Sequence, residues 1–97
     1  LPAVIEWNVP QAAARYAKVA AALGPEDEDR LPDPVLASER VRTLSASVGL
    51  PSGLCAAGVD QSLLDRIGAW AFEDATLRGN PRACEIVDLT RMLRASW

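Results

Sequence analysis

The chain has 97 residues, a net charge of −3 and no histidine. That length supplies one small domain and not two. An acidic chain without a basic stripe is excluded as a nucleic-acid binder, because such binding rests on neutralising phosphates; the missing histidine excludes a self-sufficient enzyme of a metal- or histidine-based kind.

Aromatic residues make up only 5% of a chain that is 49% apolar, and alanine supplies much of the rest. Alanine orders into a helix without losing side-chain entropy, so the composition favours helix over sheet. No run approaches the ~20 apolar residues that cross a bilayer. Leu1-Pro2-Ala3-Val4-Ile5 has neither the length nor the basic flank of a signal peptide. The two cysteines, Cys55 and Cys84, lie far apart and form no C-x-x-C pair. They read as small buried or half-buried thiols of a reducing, cytoplasmic compartment; sequence alone does not decide whether they bridge.

From the N-terminus, Leu1 to Trp7 is a short apolar stretch ending in Asn8-Val9-Pro10, a capping residue followed by a first-turn proline. A first helix is expected from about Pro10 to Leu23, with Tyr16, Val19, Ala20 and Leu23 on one stripe and Gly24 as its stop. Gly24 to Arg30 is an acidic turn. It reads as a solvated loop, since it has no EF-hand spacing to hold its carboxylates on a cation. Asp33-Pro34 repeats the start signal. A second helix follows from about Pro34 to Val48, with Ala37, Val41, Leu44 and Val48 buried and Gly49 as the stop.

Leu50 to Gly58 reads as a turn holding one helical turn closed by Gly58. Ser52 within it is not in a G-x-S-x-G elbow and has no histidine to act as its base, so it is a capping residue rather than a nucleophile. Asp60 caps a third helix, from about Gln61 to Thr76, whose buried stripe is Leu64, Ile67, Ala71 and Ala75. Asn80 precedes a proline and must be extended. A fourth helix runs from about Glu85 to Ala95, with Ile86, Leu89, Leu93 and Trp97 inward. The fold expected is therefore all-α, a bundle of about four helices, none stable without the others.

Four patterns in order carry a resemblance. They are Leu1-Pro2-x-Val4-x-x-Trp7-Asn8-x-Pro10 with Ala14-Arg15-Tyr16-Ala17 and Ala22-Leu23-Gly24; Gly49-Leu50-Pro51-x-x-Leu54-x-x-x-Gly58-Val59; Asp74-Ala75-Thr76 running into Asn80-Pro81-Arg82; and the ending Leu93-Arg94-Ala95-Ser96-Trp97. Together they resemble the C-terminal helical region of the iron-containing (group III) alcohol dehydrogenases, of which the maleylacetate reductases are a close branch. The resemblance implies a C-terminal (sub)domain over residues 1–97, part of a dehydroquinate synthase-like helical domain.

It further implies a longer parent whose N-terminal α/β domain binds NAD(P) through a glycine-rich loop. The parent's helical domain would hold iron or zinc on one Asp and three His, the last of them just ahead of the L-P-x-V pattern. Those ligands and the nucleotide-binding domain are absent from these 97 residues. Hydride would pass between the nicotinamide and a metal-polarised carbonyl or alkoxide. The partners implied are the nucleotide-binding domain and the metal-bearing helices, with a homo-oligomer also compatible.

Thr76 stands where many relatives carry a small residue or Cys near the substrate pocket, which makes Thr76 and Asn80 the candidate pocket-lining residues. Catalytic, metal and cofactor ligands are expected to be none in this chain. For Thr76 the competing reading is a helix-end hydroxyl bonded to a backbone carbonyl; for Asn80 and Arg82 it is turn-making, with Arg82 reaching a helix C-terminus. The tryptophans read as core or interdomain plugs. Glu85 replaces the family's usual Ser or Thr and is a weaker cap. The segment Arg78-Gly79 lacks the aromatic of maleylacetate reductases, which favours the alcohol dehydrogenase branch. A different class also stays open: a small helical interaction module that binds partners through an exposed apolar face.

Overall fold

The computed structural model describes residues 1–25 and 29–97. The acidic stretch 26–28, expected in a solvated loop, lies outside the described residues. Four helices are present among the described residues, α1 (Pro2–Ala22), α2 (Leu36–Ser47), α3 (Leu64–Glu73) and α4 (Ile86–Ala95), with 3-10 turns at Gln61–Leu63 and Ala75–Gly79. No strand occurs among the described residues, so the all-α expectation holds.

Helix α1 corrects the expected start at Pro10. It begins at Pro2, a proline that suits the first turn because its missing N–H has no helical partner there. Asn8 is accordingly not a cap but an interior, buried position. The disruption comes later, at Ala12 (φ −138°, ψ 28°), two residues beyond Pro10. Pro10 removes one helical hydrogen bond and crowds the carbonyl four residues back, that of Glu6, so its effect falls ahead of the break at Ala12.

Helix α2 matches its expected extent, and Gly49 beyond it adopts φ +76°, the left-handed conformation that favours glycine. Its stripe is only half covered. Ala37 is buried and Val41 packs on the core with Ile5, Ala20 and Tyr16, whereas Leu44 and Val48 are exposed. Gly58, at φ +83°, closes the single turn after Gly53 as expected.

The third helix is shorter than expected at both ends. Asp60 caps as expected, accepting from the Ser62 N–H at 2.8 Å, but the first three residues form a 3-10 turn. At the far end Asp74 is extended, and its carboxylate takes the Thr76 N–H at 2.8 Å. A side chain that bonds the backbone two residues ahead competes with the helix, so α3 stops at Glu73. Ala75, expected inward, is exposed. Helix α4 begins as expected, with the Glu85 N–H donating to Asp88 Oδ2 at 3.0 Å. Leu89 and Leu93 are half-buried, while Ile86 stays exposed.

The helices pair as α1 with α2 and α3 with α4, and α1 also touches α4. In the first pair the core is built from small residues, Ala20 and Ala37, around Ile5. In the second, Leu64 is fully buried, worth about 2 kcal/mol relative to exposure. Gly68 lies against Thr90 so closely that an added Cβ would sit 2.5 Å from its Oγ1. Ion pairs lie along the edges, Arg42 to Glu6 at 2.6 Å and Arg94 to Asp65 at 2.8 Å. Both members of the Arg94–Asp65 pair are solvent-exposed. No helix among the described residues is long and apolar enough to cross a membrane.

Candidate functional site

Between the two helix pairs lies a cleft of about 510 Å³. One wall is α1, through Val4, Asn8 and Tyr16; the other is the segment from Asp74 to Pro81 that follows α3. Thr76 and Asn80 both line it.

The wall carrying Thr76 owes its shape to Asp74. Its carboxylate accepts from the Thr76 N–H and, at 2.6 Å, from the Thr76 hydroxyl. Those bonds from Thr76 hold Asp74 below the usual aspartate range, so it faces the cleft as an anion. The Thr76 hydroxyl is thus bonded to a side chain, not to the backbone carbonyl expected as its alternative partner. With its proton committed to Asp74, its oxygen retains acceptor capacity.

Asn80 is extended at φ −69°, ψ 133°, as the following proline requires. Its amide pairs reciprocally with Asn8, 72 residues away. Asn8 Nδ2 donates to Asn80 Oδ1 at 2.7 Å and Asn80 Nδ2 to Asn8 Oδ1 at 2.9 Å. Asn80 Nδ2 also donates to the Arg82 carbonyl at 2.6 Å. Asn8 is only 2% exposed, and this pairing is what permits a buried amide there.

Arg82 does not reach a helix C-terminus. Its guanidinium donates to the Trp7 carbonyl at 3.0 Å, inside α1, and lies over the Trp7 ring at 3.7 Å from the centroid. The buried Trp7 Nε1 has no hydrogen-bond partner among the described residues. Trp70 is 56% exposed beneath Arg66 and is no plug for this core. Trp97 is partly exposed, and its Nε1 donates to the Val59 carbonyl at 3.2 Å.

Asn8, Tyr16 and Asp74 are among the cleft residues that sequence reasoning missed. Asn8 was legible only as a cap, because the cap-then-proline pattern is local and its partner is not. The cysteines are both free: Cys55 is exposed, contrary to expectation, and Cys84 is half-buried. Burial, with a smaller contribution from Asp88, pushes the Cys84 thiol up. Among the described residues no three His, Cys, Asp or Glu side chains gather as a metal would require. With no imidazole in the sequence, the described residues do not fit the three-histidine metal site that the resemblance implies.

The described residues form a small helical unit whose cleft carries hydroxyl, carboxylate and amide groups. The sequence model of the Fe-containing alcohol dehydrogenase family, C-terminal, matches residues 1–97. The chain is also 30% identical over 100 residues to 4-hydroxybutyrate dehydrogenase of Cupriavidus necator, covering 99% of this chain and 25% of that protein. The chain belongs to the iron-containing alcohol dehydrogenase family and corresponds to its C-terminal region. It spans about a quarter of the length of the curated relative it matches.

Proposed function

We propose that these residues are the C-terminal helical part of a metal- and NAD(P)-dependent alcohol/aldehyde oxidoreductase, and that their cleft forms one wall of its substrate site. The observation that carries this reading is the family match along all of residues 1–97, on a fold that gathers Thr76 and Asn80 into one cleft. The nucleotide site and the metal ligands, for iron or zinc, would come from other parts of the longer protein. No step through the metal is assigned to these residues, which offer it no ligand set.

Their own contribution is shape and polarity. Tyr16 and Val4 bound the cleft on the α1 side. Thr76 offers an oxygen acceptor held by Asp74. The relative's name points to a short hydroxy acid as one substrate to try. Exposed Leu44, Val48 and Leu50, with Trp70 and Phe72, offer apolar surface for the nucleotide-binding domain and metal-bearing helices to cover.

The test is oxidation of NAD(P)H at 340 nm with C4 aldehydes. It would use the polypeptide encoded by the reading frame continuous with these residues, loaded with iron or zinc. Turnover by that polypeptide, with none from residues 1–97 alone, is expected. Turnover by residues 1–97 alone, or a continuous frame lacking histidine ligands and a glycine-rich loop, would overturn the proposal.

A further inference from the structure

We infer that Asn8 is a positioning residue of the cleft: acting through Asn80, it sets how close the α1 wall stands to the 74–81 wall that carries Thr76. The functional meaning of this inference rests on reading the cleft as a substrate site.

The helix pairs contact each other through α1 and α4, and the 74–81 wall is stitched internally by its own turns, Leu77 N–H to Asp74 O at 3.1 Å and Asn80 N–H to Leu77 O at 3.0 Å. Those bonds give the wall a shape but not a place. Its place comes from the reciprocal amide pair, made by two residues that both line the cleft. Asn80 sits four positions after Thr76, at the end of a stiff 3-10 turn and before a proline, so a shift at Asn80 is carried back to Thr76. Arg82 holds the neighbouring Trp7 from outside the cleft, so residues 7 and 8 are gripped by residues 82 and 80. A structural role alone is met by any residue that fills the space. The positioning role requires one donor and one acceptor on each partner.

That requirement is testable. Amide hydrogen exchange and chemical shifts would be followed by NMR in the chain and in Asn80→Ala, Asn8→Ala and Asn8→Asp. Asn80→Ala should raise exchange at the amides of Leu77 and position 80 by about tenfold, the loss expected for one to two hydrogen bonds, with α2 unchanged. Asn8→Asp should loosen the same amides at pH 7, where a carboxylate oxygen faces Asn80 Oδ1. It should regain protection as pH falls toward ~4, relative to the native chain at the same pH, because burial at this 2%-exposed position favours the neutral carboxyl and a protonated acid again offers one donor and one acceptor. The charged and titratable groups around the pair are Asp74, Tyr16 and Arg82.

Asn8→Ala leaves a hole in α1 and can fail to fold; Asn80→Ala leaves that helix intact and decides the matter. Native exchange across 74–82 in Asn80→Ala, or no acid recovery in Asn8→Asp, overturns the inference. In the active longer protein Asn80→Ala should raise KM for substrate severalfold and leave KM for NAD(P) unchanged. Loosened exchange with an unchanged substrate KM supports the positioning role and overturns the substrate reading of the cleft.

Discussion

Gly68→Ala should destabilise the protein in the native background and stabilise it once Thr90 is alanine. Two opposed effects meet at this buried glycine. Replacing glycine by alanine inside a helix gains roughly 1 kcal/mol of propensity. The new Cβ, however, would stand 2.5 Å from Thr90 Oγ1, well inside contact distance. Threonine in a helix is divided between two χ1 rotamers, so relief requires Thr90 to give up its present one or α3 to move away from α4. Overpacking of this kind costs typically 1–3 kcal/mol. The net effect is a loss of between zero and about 2 kcal/mol, up to roughly 10 °C in Tm for a domain of this size. In a Thr90→Ala background the nearest remaining atoms are Thr90 N at 3.4 Å and Cα at 3.5 Å, ordinary contacts, so the propensity gain of about 1 kcal/mol should emerge. Urea unfolding followed by far-UV circular dichroism on the four variants gives a double-mutant cycle with a coupling of about 1–3 kcal/mol. Equal effects of Gly68→Ala in both backgrounds would refute the close α3–α4 approach.

Gly53→Ala should release the C-terminus, because its Cβ would meet the Ser96 and Trp97 carbonyl oxygens at 2.8 and 2.9 Å. These are backbone atoms that no rotamer change can clear. Loss of the Leu54 and Cys55 N–H bonds to them should cost about 2 kcal/mol and raise acrylamide quenching of tryptophan fluorescence. Arg82→Lys should cost about 1 kcal/mol in urea melts, since an ammonium cannot both stack flat on Trp7 and bond its carbonyl. Asp60 and Asp74 are held low by Ser62 and Thr76, and Glu6 by Arg42. Their folded values lie below the unfolded ones, so their stabilisation is complete above the ordinary carboxylate range and lost as pH falls below about 4. Melts between pH 7 and pH 3 should show that decline, and Asp60→Asn with Asp74→Asn should flatten it.

Helix existence, the stops at Gly49 and Gly58, the cap at Asp60 and the extended Asn80 were all legible in the sequence, because each depends on residues within a few positions of one another. Errors arose where a distant partner settles the local choice. Asn8-x-Pro10 has the chemistry of a helix start, yet Asn8 lies inside the helix, where Asn80 satisfies its amide. Leu44 and Val48 have the right periodicity, but periodicity says which residues share a face and not what covers it. Asp74 ends α3 through its own side chain, a competition that apolar spacing does not register. The cleft itself was half legible. Thr76 and Asn80 came from the family's pattern, whereas Tyr16 and Asn8 on the opposite wall needed the packing of α1 against the α4 side.

The central claim is that this cleft forms part of a dehydrogenase's substrate site, and steady-state kinetics of Thr76→Leu in the metal-loaded longer protein tests it most directly. Replacing a hydroxyl with a larger apolar group on the cleft wall should change KM for the aldehyde or alcohol by about tenfold or more and leave KM for NAD(P)H as it was. Unchanged substrate kinetics in a folded variant, or a change confined to the nucleotide, would contradict the account.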